Sequence, residues 1–340
     1  MKVLLIRLAG LGDVASILVP AVKIMKQRDP GGQVDVLTYG PGIELMELQE
    51  EVTAVLTVTP EQWPNDLLPA MASFTEIAQA VVAQQYDLVV NLDTWFMPCF
   101  LARTLKDALL PVQGNFIDYT VHALMDKLSV GQLSHAYFEK NRYLVSSFPN
   151  MKDWSTPWWD RFNGAGSYPE FYLHHCCGLD GPIDISLPLP ADEAFRASAD
   201  GREIVALSTA GSKPGKRYPK TDELRGLLER AGYFVWSQFD GSLPMRTTLE
   251  RLKATDLLIT VATSTQWLAR LVGCPSLLIP GAMPPTAMGA EITVARVTDC
   301  QYCADTTCSA GRNFACMSVA PWNILDLAAQ ALRTRPSVRE

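Results

Sequence analysis

The chain reads as an α/β protein with two parallel-sheet domains, and three observations predict this. The first is the opening MKVLLIRLAGLGDV, in which an apolar run at 3–6 meets a turn holding Gly10 and Gly12. Asp13 follows, and then apolar residues at helical spacing over 14–25. The second is that strand-like and helix-like segments alternate in each half, the rhythm of a parallel sheet covered by helices. The third is a proline-bearing stretch at 182–192 between the two halves, which reads as a link. At 340 residues the chain can hold two cores of ordinary size. The expected domains are 1–182 and 183–320, with a closing helix and tail over 321–340.

In the first domain, strands are expected at 3–6, 34–38, 54–58 and 88–92. A helix over 74–85 carries Ile77, Ala78, Val81 and Val82 on one face. Further helices are expected over 118–128 and 136–147. The stretch 150–181 holds Trp154, Trp158 and Trp159, then His174, His175, Cys176 and Cys177. Its aromatics are expected to pack on the first domain as an irregular excursion, the alternative being a surface for an acceptor or subunit. Its consecutive His and Cys residues point in different directions on a helix, which argues against one shared ion. In the second domain, strands are expected at 204–207, 233–237, 257–261 and 276–279. Helices are expected at 221–231, 246–253 and 265–272, and a last one at 321–332 has Pro321 in its first turn. Two similar sheets joined by a link imply a cleft between them.

Composition narrows the function classes. The chain is 48% hydrophobic and 19% charged with a net charge of −7, which argues against generic nucleic-acid binding. A local basic cluster could still take a phosphorylated ligand. No apolar stretch reaches the roughly 18–20 residues a membrane span needs, and Arg7 interrupts the opening run, making it a poor secretory signal. The expected location is the cytoplasm, compatible with peripheral membrane contact and with an oligomer. Its eight cysteines are then thiols rather than disulfides. Cys99, Cys176, Cys177 and Cys274 read as ordinary buried thiols.

Chemistry concentrates at strand ends. Strand, glycine turn and helix build a site at the carboxyl edge of a sheet, and Asp13 places a carboxylate there. It suits a base, and equally it suits a helix cap. The turn STAGSKPGKRYPK after strand 204–207 joins Ser208, Thr209 and Ser212 to Gly211 and Gly215, with Lys213, Lys216, Arg217 and Lys220. Hydroxyls, backbone amides and ammonium groups at a strand end suit a diphosphate, although the spacing is not that of a nucleotide-hydrolase loop. After strand 257–261, Thr263, Ser264, Thr265 and Gln266 open another helix, and Gly281 lies in the turn after strand 276–279. Three strand ends of one domain therefore offer donors on one side. Cys300, Cys303, Cys308 and Cys316 lie close enough together for a tetrahedral zinc or iron site. Four sulfurs leave no open position, so its role would be structural; the alternative is reduced thiols without metal.

These motifs together resemble glycosyltransferase family 9, the heptosyltransferase family. The resemblance rests on RLAGLGDV with its proline-bearing helix, YDLVVNLD at 86–93 and GSKPGKRYP at 211–219. It extends through ATDLLITVATSTQWLARLVGCPSLLIPG at 254–281 to the cysteine tail CQYCADTTCSAGRNFACM. It implies the GT-B fold, two Rossmann-like domains facing a central cleft. The implied reaction is inverting transfer of a heptose or related sugar from a nucleotide diphosphate, commonly ADP-heptose. The acceptor would be a lipopolysaccharide core sugar or a protein serine, and no catalytic metal is expected. By position, Asp13 matches the family's general base and Lys216 the lysine that neutralises the leaving diphosphate. Asp93, at the end of strand 88–92, is a rival base, and Arg7 a structural partner for either carboxylate. Protein-modifying autotransporter heptosyltransferases look like the subgroup in which a cysteine finger holds iron.

One departure matters. Where the family has Asp-Thr-Gly and a histidine three positions on, this chain has Ala262, Thr263, Ser264 and Trp267. That leaves room for a donor other than ADP-heptose, and for a member without transfer activity. Two rival readings follow, a GT-B-fold sugar-nucleotide epimerase and a non-catalytic binding or assembly protein.

Overall fold

The computed structural model describes residues 1–8, 10–139, 142–155, 166–304 and 307–334. The chain divides into two compact units, Met1–Trp158 with Pro169–Asp184, and Trp159–Tyr168 with Ile185–Glu340.

The first unit is built on β1 (Lys2–Ile6), β2 (Gln33–Tyr39), β3 (Ala54–Val58), β4 (Leu88–Asn91), β5 (Val112–Ile117) and β6 (Leu144–Ser146), in the sheet order β3-β2-β1-β4-β5-β6. β1 to β5 are parallel, and β6 runs antiparallel at the edge. Val3 to Ile6 are all buried, which explains an apolar run without alternation. Gly10, at φ 76, turns the chain from β1 into a long helix. That helix opens at Leu11–Asp13, widens into a π segment at Val14–Leu18 and continues through Val19–Arg28. Pro20 has no N–H to give to the turn before it, and the helix widens just upstream.

Among the described residues, the helix expected over 136–147 does not form. His135–Phe138 forms a single 3-10 turn and Leu144–Ser146 becomes β6, with Val145 opposite Phe116. An aromatic and β-branched segment beside an open sheet edge gains more by pairing than by coiling. β5 itself was not expected, because Gln113, Gly114 and Asn115 break its apolar pattern. Gly114 has φ +95, and a Cβ there would overlap the carbonyl of Asn91, so β5 approaches β4 only through a glycine. The helix Phe96–Asp107 also went unforeseen, whereas the one expected over 74–85 begins earlier, as Leu67–Ala83.

Within the stretch 150–181, Phe171, Tyr172, Leu173 and Cys176 are buried on the π turn Glu170–Cys176, and the Tyr172 hydroxyl donates to Leu92 O at 2.8 Å. Phe171 and Tyr172 thus pack into the first unit, whereas Tyr168 groups with the second; Trp158 and Trp159 lie outside the described residues. His174 Nε2 meets Gly181 O at 2.7 Å and His175 Nε2 meets Asp153 at 2.9 Å, so the two rings serve different partners. Ser167 groups with the second unit, where its Oγ accepts from Arg270 at 3.1 Å.

The second unit carries β7 (Ile204–Ser208), β8 (Phe234–Trp236), β9 (Leu257–Val261), β10 (Ser276–Ile279) and β11 (Ile292–Thr293), all parallel, in the order β11-β10-β9-β7-β8. Every residue of β7, β9 and β10 is buried. Helices Thr221–Arg230, Met245–Lys253 and Ser264–Leu271 follow the sequence spacing within a residue or two. The last helix, Pro321–Arg333, packs on the first of these, with Ile324 and Ala328 in one core with Leu224 and Leu228. No helix among the described residues is long and apolar enough to cross a membrane.

Candidate functional site

At the carboxyl edge of the first sheet, β1 delivers Arg7 into a buried position, its side chain 4% exposed. Its guanidinium meets Asp13 Oδ2 at 2.8 Å and Asp93 Oδ1 at 3.9 Å, donates to Leu92 O at 2.5 Å, and lies over the Tyr172 ring. The two carboxylates it faces are unlike. Asp93 is wholly buried and accepts the backbone N–H of Leu8 at 2.7 Å and of Thr94 at 3.1 Å. Asn91 and Asn115 brace its backbone on the other side. Asp93 is thus a bracket that ties β1 to the segment after β4. Asp13 is 37% exposed and reaches solvent while held by Arg7. It does not cap the helix: Gly10 occupies that position and no side-chain cap is formed.

In the second unit, β7 ends at Ser208, whose Oγ donates to Thr265 Oγ1 at 2.9 Å, and Thr260 Oγ1 donates to Ser208 O at 2.9 Å. Thr209 Oγ1 pairs with Thr221 Oγ1 at 2.8 Å. These hydroxyls lock strand ends to one another. The turn beyond is closed by Gly211 N donating to Lys216 O at 2.8 Å and Arg217 Nε donating to Gly211 O at 2.9 Å. A Cβ on Gly211 would overlap that same Lys216 carbonyl, so the turn can be this tight only with glycine. Ser212 and Lys213 are exposed, Gly215 is buried and Lys216 half-buried.

The neighbouring strand ends divide in the same way. Thr263 and Ser264 are half-exposed, but Thr265 is buried and Gln266 is fully buried, its Nε2 donating to Ser276 Oγ at 2.8 Å. Ala262 and Trp267 are buried as well, with Arg270 over the Trp267 ring at 5.0 Å. Gly281, at φ +57, brings the turn after β10 against Gly215, whose carbonyl would lie 2.9 Å from an added Cβ. Gly211, Gly215, Lys216 and Gly281 are therefore one cluster. Two neighbours were not foreseen: Phe314 packs on Gly215, and Met317 fills the space where Gly281 would carry a side chain. Glycines at both places were the sequence signal for that packing.

Cys300, Cys303, Cys308 and Cys316 line a single cavity of about 30 Å³, with Ala282 and Phe314. That volume suits a guest of about one water's size. Burial first, and then the neighbouring thiols, push the Cys316 thiol up. An all-sulfur set fits zinc or iron by its chemistry. Among the described residues, however, no three His, Cys, Asp or Glu side chains are placed to hold a metal ion. Cys99, Cys176, Cys177 and Cys274 are buried.

The fold has known counterparts. Over 98% of both chains it is similar to a family 9 glycosyl transferase from Veillonella parvula, with TM-score 0.69 at 14% identity. It is similar to the ADP-heptose lipopolysaccharide heptosyltransferase II of E. coli, with TM-score 0.63 at 13% identity over 98% of this chain and 99% of that one. It is also similar to TibC of enterotoxigenic E. coli, described as an iron-containing dodecameric glycosyltransferase, with TM-score 0.58 at 13% identity over 98% of this chain and 76% of that one. By sequence, no family model and no curated protein matches. The two parallel-sheet α/β units are thus the fold of GT-B glycosyltransferases.

Proposed function

We propose that this protein is an inverting glycosyltransferase, moving a heptose or related sugar from a nucleotide diphosphate to a hydroxyl. ADP-heptose is the first donor to test, with a lipopolysaccharide core sugar or a protein serine as acceptor and the cytoplasm as its place of work. The observation that carries the reading is Asp13, a carboxylate open to solvent at a sheet's carboxyl edge and oriented by a buried arginine. The tight cationic turn at Gly211–Lys216 supports it from the second unit.

In the reaction, Asp13 takes the proton of the acceptor hydroxyl as its oxygen bonds to the anomeric carbon. The bond from that carbon to the β-phosphate oxygen breaks, and its electron pair leaves with the nucleoside diphosphate. Lys216 and the amides of its turn stabilise the charge that develops there. A single displacement inverts the anomeric centre. Burial of Asp93, with its bonds to Leu8, Thr94 and Arg7, favours Asp13 over Asp93 as the base. Ser208, Thr265 and Gln266 support the donor site from within, leaving direct contact to Ser212, Thr263 and Ser264. With Ala262 and Trp267 buried, no acid or imidazole reads the sugar there, which favours a donor set wider than ADP-heptose.

A metal on the four cysteines would brace the finger and supply no reaction chemistry, since four sulfurs complete a tetrahedral shell. Iron or zinc in stoichiometric amount on the purified chain, lost in Cys303→Ser, would bear this out.

The deciding experiment is a thermal-shift screen against ADP-, UDP- and GDP-sugars, followed by product analysis with and without acceptor. Transfer that needs acceptor supports the proposal. Conversion of donor alone would make the protein an epimerase. Absence of turnover, with binding indifferent to Lys216→Ala, would make it a non-catalytic module.

A further inference from the structure

The cysteine finger and the lysine turn meet through one ring. Asn313 and Phe314 both take left-handed backbone, at φ 46 and 55, a conformation costly for side-chain-bearing residues. It is held by Met317 N donating to Phe314 O at 2.8 Å, which closes the turn Ala315–Met317. The consequence is double contact. On one side the Phe314 ring lines the cavity shared by the four thiols. On the other it presses on Gly215, where a Cβ would come within 2.7 Å of the ring. Met317 does the same at Gly281, and Ala304 N donates to Ala282 O at 2.8 Å, fastening the finger to the turn after β10. Gly215 directly precedes Lys216, so the finger's packing decides where that lysine's backbone lies.

We propose that Phe314 and Met317 are positioning residues for Lys216, so that the state of the four-cysteine cavity and affinity for a nucleoside diphosphate are coupled. This rests on the reading of the Lys216 turn as the diphosphate site. Packed side chains transmit such a coupling because a tight contact cannot yield on one side without shifting the other. The coupling is reciprocal: whatever the cavity does to nucleotide affinity, nucleotide does to the cavity. Cys303 is exposed and Cys300 and Cys308 are partly so, which makes the cavity's state readable by thiol alkylation.

The test uses the full chain as purified, with ADP as probe. ADP affinity is measured by calorimetry for wild type, Phe314→Ala, Phe314→Leu and Lys216→Ala. Iodoacetamide alkylation of each cysteine is followed by mass spectrometry with and without ADP. Phe314→Ala should weaken ADP binding on the order of tenfold, with Phe314→Leu recovering most of the loss. ADP should slow alkylation of the finger thiols in wild type and not in Phe314→Ala. A purely structural ring would lower the melting temperature and leave ADP protection intact. Wild-type ADP affinity in Phe314→Ala, alongside weakened binding in Lys216→Ala, overturns the coupling alone. Wild-type affinity in Lys216→Ala overturns the diphosphate reading and the coupling with it. The protection measurement needs no variant: unchanged alkylation of wild type at saturating ADP also sinks the proposal.

Discussion

Arg7→Met removes one guanidinium from beneath two carboxylates while keeping a long apolar side chain in its place. Asp93 would then lie wholly buried without that cation, still accepting the N–H groups of Leu8 and Thr94. Taking one member from a buried pair costs about 3–5 kcal/mol, because the other charge is left uncompensated. The Arg7–Asp93 separation of 3.9 Å is at the long end for such a pair, which places the expectation at the lower figure. Loss of the contact to Tyr172 adds about 2 kcal/mol, since both groups are buried. The pair with Asp13 adds little to stability, since Asp13 is 37% exposed. About 5 kcal/mol is therefore expected in all, read as a shift in the urea midpoint of the first unit. Arg7→Met/Asp93→Asn should recover a good part, since the lone charge is gone. A loss under about 1 kcal/mol for Arg7→Met, as for a surface pair, would refute the account of Asp93 as a bracket held by Arg7. So would a double variant no better than the single one.

Other consequences can be checked alongside. Asp13→Asn should leave ADP affinity within about twofold while lowering turnover on the order of 100-fold or more, the worth of a general base; burst kinetics would separate the two. Gly114→Ala should cost about 1–3 kcal/mol in thermal unfolding, since its φ of +95 and the Asn91 carbonyl both oppose a side chain. Burial pushes the Cys176 thiol up to about 12 from its ordinary 9.0. In that window the unfolded chain loses the proton first, so stability present below pH 9.0 falls as pH rises toward 12. Cys176→Ala should flatten this alkaline limb in urea titrations at pH 8 and pH 11, and equal slopes would count against it.

Legibility in the sequence followed the range of the forces involved. β1, β7, β9 and β10 were readable because each is a short apolar run ending in a turn, a pattern that needs no knowledge of neighbours. β5 and β6 were not, because β5 exists by virtue of Gly114 letting it approach β4, and β6 by virtue of β5's free edge. At the candidate site, residue types at strand ends were visible, but their orientation was not. Gln266 and Thr265 share a helix start with Ser264, yet the helix turns them inward onto Ser276 and Ser208. Trp267, at the position where the resemblance expected a histidine, is likewise drawn into the core.

By itself, the sequence determined the two α/β units, the glycine turns at the ends of β1 and β7, and which residues could act as base, cation or thiol. Those follow from local periodicity, backbone freedom at glycine and side-chain chemistry. Only the tertiary structure decided that Asp13 meets solvent while Asp93 is enclosed, and that Phe314 stands between four thiols and the lysine turn. Asp93 binds Leu8 across 85 positions of chain, and Phe314 reaches Gly215 from another part of its unit. Contacts of that span depend on how packed elements exclude water, which no local pattern encodes.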